Sequence, residues 1–92
     1  MKVIINSDIT NNIKFSNKNV YIITNNVTVI NNSTVEVEKD TLILLKINSG
    51  NLVFQNGSKL IGYDIDFGLC NDNYLVINQS ISNNNKLIFN GK

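Results

Sequence analysis

The 92 residues carry eight Lys against seven acidic side chains, with no His or Arg, for a net charge of +1. That balance, without a basic cluster, excludes the electrostatic footprint of a nucleic-acid or anionic-membrane binder. The absence of His excludes Ser-His and Cys-His catalysis in this chain, and its one Cys excludes an internal disulfide framework.

This length implies one small domain over residues 1–92, near the lower limit for a self-sufficient core. Fourteen Ile, eight Val and eight Leu supply the apolar content without any Ala or Pro, which favours strands over helices. The nineteen Asn fit a genome rich in AT codons. The opening "MKVIINSDIT" is too short in apolar residues for a signal peptide, and no run is long enough to cross a membrane. The expectation is a chain made in the cytoplasm, destined for an appendage or the surface of a virion, spore or cell.

Taken in chain order, the short apolar runs are "VII" at 3, "IKF" at 13, "VYI" at 20, "VTV" at 27, "VEV" at 35 and "LIL" at 42. They continue as "LVF" at 52, "KLI" at 59, "IDF" at 65, "LVI" at 75, "SIS" at 80 and "LIF" at 87. Every third run belongs together: 3, 27, 52 and 75; then 13, 35, 59 and 80; then 20, 42, 65 and 87, with steps of 21 to 25 residues. This period predicts an all-β parallel solenoid of about four turns, each with three short strands. An antiparallel sandwich has no reason to repeat every third strand.

Alternation assigns the faces. Val27, Val29, Leu52, Phe54, Leu75 and Ile77 are expected inward in the first series. In the third, Val20, Ile22, Leu42, Leu44, Ile65, Phe67, Leu87 and Phe89 are expected inward, which turns Tyr21, Ile43 and Ile88 outward as a lateral contact stripe. Asn6, Asn31, Asn56 and Asn78 each follow the first strand, so "QNGS" reads as a corner carrying an Asn ladder rather than a hairpin. Asn26, Asn51 and Asn73 form a second, partial ladder before the same strand.

The stretch "VYIITNNVTVINNSTVEVEKDTLILLKINSGNLVFQNGSKLIG", residues 20–62, resembles the first turns of parallel β-helix proteins of the pectate-lyase-like superfamily. The resemblance covers about half the chain and rests on hydrophobic spacing. It implies right-handed coiling, in keeping with the usual hand of parallel crossovers. It carries no enzymatic residues across, because those enzymes use clustered Asp with Arg or His.

Other candidate chemistry has plainer readings. Glu36 and Glu38 alternate on one strand without a cleft, and Lys14 is expected to stack on Glu36 one turn later. Asp64, Asp66 and Asp72 gather around the longest corner as candidate Ca²⁺ ligands, against which stands the ordinary use of Asp in turns. Cys70 in that corner is either an inert buried thiol or an exposed one. A single outward Thr28 gives no Thr array for ice binding. No cofactor is expected.

The ends remain. A chain whose strands run from Val3 to Phe89 leaves no segment to spare for a cap, and open strand edges template further pairing. The expected edges are Val3, Ile4, Ile5, Ile13, Phe15, Val20 and Ile22 at one end, and Leu75, Ile77, Ile81, Leu87 and Phe89 at the other. The functional expectation is therefore a non-catalytic structural protein, stacking end to end on itself into a filament or fibre. The alternative is an attachment or carbohydrate-binding module that meets sugars or other surface proteins.

Overall fold

The short β-branched runs form strands that pair with runs about twenty residues away rather than with their chain neighbours. A computed structural model describes residues 1–71, 76–77 and 86–89. Its strands are β1 (Lys2–Ile5), β2 (Ile13–Phe15), β3 (Val20–Ile23), β4 (Asn26–Val29), β5 (Thr34–Val37) and β6 (Leu42–Lys46). They continue with β7 (Asn51–Phe54), β8 (Lys59–Gly62), β9 (Asp66–Cys70), β10 (Val76–Ile77) and β11 (Lys86–Phe89). No helix occurs among the described residues. The strands lie in three sheets, ordered β1-β3-β6-β9-β10, β11-β7-β4 and β2-β5-β8, called A, B and C below. Every pairing is parallel except β9 with β10. Between β3 and β9 each strand pairs with the third one onward, which gives an all-β, solenoid-like arrangement.

The middle of the chain follows the expected series and both ends depart from it. β1 pairs with β3, so "VII" opens sheet A instead of preceding "VTV". The place before β4 is taken by Ile9, bridged to Val29. At the other end "LIF" pairs with β7 in sheet B rather than following β9. β10 turns back antiparallel on β9. Leu75, Asn78 and Ile81 lie outside the described residues.

The core sits between the three sheets. Sheet B supplies Val27, Val29, Leu52 and Phe54, all buried as alternation requires, and sheet C supplies Phe15, Val35 and Val37. In β3 and β6 of sheet A the expected parity is inverted, while Ile65 and Phe67 pack toward the core as expected. Tyr21, Ile23, Ile43, Leu45 and Leu69 face this core. Ile22, Leu44 and Cys70 form a second buried cluster, with Val20 and Leu42 packed against it. Both faces of β3 and β6 are thus buried, so an apolar residue fits at every position of these strands and alternation carries no signal there. Tyr21 is fixed inward by its ring and its hydroxyl. The ring stacks on Phe15 at 3.9 Å. The hydroxyl accepts from the Ser16 N–H at 2.8 Å and from Asn19 Nδ2 at 3.2 Å.

The corners repeat one construction. Asn32, Asp40, Asn48 and Gly57 have φ of 67°, 65°, 70° and 84°. Each is followed by a hydroxyl residue: Ser33, Thr41, Ser49 and Ser58. Ser33, Ser49 and Ser58 close β-turns by donating their N–H to Ile30, Lys46 and Gln55 carbonyls. Positive φ at the third position is the mark of a type II turn, where Gly and Asn are favoured. Thr41 Oγ1 donates to the Glu38 carbonyl at 2.7 Å, and Ser58 Oγ to that of Gln55. These hydroxyls are buried yet satisfied. Ser49 Oγ has no partner among the described residues. The carbonyl it would need, Lys46, already accepts from both the Ser49 and Gly50 N–H groups.

Candidate assembly edges

The expected Asn ladder is placed differently from the reading above. The β4–β7 register sets Asn31 over Asn56, but the left-handed corner residues are their successors Asn32 and Gly57. The inter-turn bond at Asn31 runs from its backbone N–H to Gln55 Oε1, at 3.2 Å. Asn6 is not a rung, because it follows β1 in sheet A, and its carbonyl accepts from Asn25 Nδ2 at 3.4 Å. The amides that do bond between turns are Asn51 Nδ2 to Asn26 Oδ1, the second, partial ladder. Asn73 lies outside the described residues, and Lys86 occupies the place beside Asn51 in β11.

The lateral stripe does not form. Tyr21 is 5% exposed and Ile43 fully buried, for the parity reason given above, and Ile88 stands in sheet B, 39% exposed. Asp64 pairs with Lys39 at 3.9 Å, Asp66 opens β9, and Asp72 lies outside the described residues. No three His, Cys, Asp or Glu side chains gather as cation ligands among the described residues. Cys70 is buried.

At the N-terminal end a cap exists where none was expected. Residues 6–12 run along the open edge of β4 and past the start of β5 without forming a strand. Asp8 Oδ1 accepts the Thr28 N–H at 3.0 Å, and Asn12 Oδ1 accepts the Thr34 N–H at 2.9 Å. Ile9 donates to the Thr28 carbonyl and accepts from the Ile30 N–H, while its side chain enters the core. Two side-chain oxygens and one bridge thus replace a strand. The signal was present in "SDITNN": one apolar residue flanked by residues that bond backbone groups. A depression of about 270 Å³ lies here, lined by Ile4, Asn6, Asp8 and Thr10 among others. Asn17 secures the corner after β2, donating its N–H to Glu38 Oε1 and its Nδ2 to the Lys39 carbonyl. These bonds, first that of the Asn17 N–H and then that of the Ser16 side chain, hold the Glu38 carboxyl below its ordinary pKa, with Lys14 and Lys18 assisting.

The edges can now be assigned. Val3, Ile4 and Ile5 lie on β1, which pairs only with β3, and Ile13 and Phe15 lie on β2, which pairs only with β5. Both are edge strands among the described residues. Val20 and Ile22 are not at an edge, because β3 is held between β1 and β6. At the far end Ile77 lies on antiparallel β10, and Leu87 and Phe89 lie on β11 beside β7. A further margin is β8, expected to carry the run at 80, which lies outside the described residues; among the described residues β8 pairs only with β5. It leaves Ile61 49% exposed, and Tyr63, just past the end of β8, is 80% exposed. Among the described residues, sheet C therefore has an open strand at each margin, β2 and β8. The expected outward pair also forms there, Lys14 Nζ to Glu36 Oε2 at 3.8 Å.

No family model matches this chain, and neither a curated protein nor a solved structure matches it.

Proposed function

We propose that this protein is a non-catalytic structural protomer that associates with copies of itself through unpaired strand edges, building a filament or fibre. The observation that supports this reading is that sheet C presents an unpartnered strand at both margins among the described residues. An exposed edge offers a row of N–H and C=O groups for another chain. Contact between two different margins of identical copies is heterologous, and yields open polymers where its rotation does not close a ring. A right-handed coil of the pectate-lyase-like kind, reduced to a few turns and without its chemistry, is the lineage proposed with it.

The test is sedimentation velocity over a concentration series, with electron microscopy of the same samples. Mass that grows with concentration, with elongated particles, is expected. A monodisperse monomer at the highest concentration overturns the proposal. The second reading, an attachment or carbohydrate-binding module, draws on Tyr63, an exposed aromatic just past the end of β8. Binding to a glycan panel that is lost in Tyr63→Ala, from a protein that stays monomeric, would favour it.

A further inference from the structure

We infer that the self-association proposed above, on which this inference rests, runs through sheet C alone. In this joint, β8 of one copy pairs in parallel with β2 of the next. A head-to-tail parallel joint needs an open edge at each end of one sheet. Sheet B does not offer one at its β4 margin, because Asp8 and Ile9 already bond Thr28 there. Sheet A ends on β10, which runs antiparallel to β9. Among the described residues only sheet C qualifies.

The hydrogen-bonding parity of the two margins is complementary. In a parallel ladder, alternate residues bond to opposite neighbours. Lys59 donates to the Ser33 carbonyl, so Lys59 and Ile61 bond toward β5, and Leu60 and Gly62 turn their N–H and C=O groups outward. The Phe15 carbonyl accepts from Glu38, so Ile13 and Phe15 bond toward β5, and Lys14 turns its backbone groups outward. The register within the sheet aligns Lys14, Glu36 and Ile61. Continued by one strand, it sets Lys14 of the next copy beside Ile61. The Lys14 N–H then donates to the Leu60 carbonyl, and its carbonyl accepts from the Gly62 N–H.

The side chains agree with this register. Ile13 and Leu60, both half-buried at opposite ends of the core, become neighbours in one inward column. Phe15 of the incoming copy meets Gly62, which has no side chain to obstruct it. On the outer face the stem of Lys14 lies over Ile61, which is 49% exposed in the single chain. Lys14 keeps its own Glu36.

Paired cysteines test the register. Lys14→Cys with Ile61→Cys places the two thiols on neighbouring strands of different copies, about 4.8 Å apart, within disulfide reach. Inside one chain β5 separates them by roughly twice that spacing, which is beyond reach. Mild oxidation should give a ladder of covalent multimers from the double variant and no species above a dimer from either single variant. Shifting one thiol, as Lys14→Cys with Lys59→Cys, should weaken the ladder several-fold. A proline at Lys14 removes an N–H that no bond among the described residues uses, so that variant should keep its β circular dichroism and lose assembly. If the wild type assembles while the Lys14 and Ile61 pair never cross-links and Lys14→Pro still polymerises, the joint lies elsewhere. Self-association would then survive and this inference would fall. A monomeric wild type overturns both.

Discussion

Sheets A and C are both built on parallel pairs of short strands, β3 with β6 and β5 with β8, yet they live in different surroundings. In sheet A, Ile22, Ile23, Ile43, Leu44 and Leu45 are all at most 1% exposed, so successive residues of one strand are buried on opposite faces. In sheet C, Val35 and Val37 are buried while Glu36 between them is exposed. The first composition reads as an unbroken apolar run and the second as alternation, as expected for strands covered on two faces or on one. A two-faced strand gains more from burial and conveys less about its orientation. A one-faced strand states its orientation and leaves a margin that can be joined.

The largest effect should come from placing the same charge in each sheet. Ile43→Lys buries an ammonium in the core and should abolish the cooperative thermal transition; the milder Ile43→Ala should cost about 2–5 kcal/mol by chemical denaturation. Ile61→Lys on the outer side of sheet C should change the monomer's stability by no more than about 0.5 kcal/mol. If both lysines are tolerated equally, the two-faced burial of sheet A is wrong.

Next in size is a backbone contact beside sheet A. A Cβ at Gly50 would lie 2.2 Å from the Ile23 carbonyl oxygen and 2.5 Å from the Lys46 nitrogen. Gly50→Ala must move backbone and should cost about 1–3 kcal/mol. Gly57→Ala, at the corner entering sheet C, meets only the Asn32 side chain at 3.0 Å but holds φ at +84°. Its cost should be about 1–2 kcal/mol, from left-handed strain alone. The corner hydroxyls sharpen the same contrast. Ser58→Ala should cost about 1 kcal/mol, whereas Ser49→Ala removes a buried hydroxyl without a partner among the described residues and should be neutral or stabilising. Equal losses at the two serines would contradict the carbonyl competition at Lys46.

The smallest effects belong to the exposed charges of sheet C. Breaking Lys14–Glu36 by Glu36→Gln should cost less than about 1 kcal/mol and vanish in high salt. Glu38 is bound to the Asn17 N–H and titrates below its ordinary value, so its contribution is present above the unfolded pKa and lost as pH falls through the folded one. Glu38→Gln should therefore flatten the acid limb of the stability profile and leave neutral and alkaline pH unchanged in slope.

Much of the middle of the fold was legible in the sequence. The pairings of "VTV" with "LVF" and of "IKF" with "VEV" and "KLI" followed from period and alternation, and so did Lys14 over Glu36. The facing of "VYII" and "LILL" was not, because nothing polar marks a side in those runs. The ends were misread for a different reason. A period predicts a strand in every slot, whereas Ile9 with Asp8 and Asn12 fills one slot by side-chain hydrogen bonds, which have no periodic signature. The corner rule was present as Asn-Ser, Asp-Thr, Asn-Ser and Gly-Ser, but the more frequent Asn one residue earlier drew attention from it. Of the edge residues, those on β1 and β2 were found; β8 was read as internal from continuation of the period into residues 80–82, which lie outside the described residues.

Cys70 is the only thiol of the chain, and it is fully buried in the cluster with Ile22 and Leu44. A thiol reagent can reach it only when that part of the molecule opens. The labelling rate, compared with that of an unfolded control, then measures the free energy of a local opening without any engineered probe. When opening and closing outpace the reagent, the rate should scale with reagent concentration; when they do not, it should plateau at the opening rate itself. The molecule carries its own clock for sheet A.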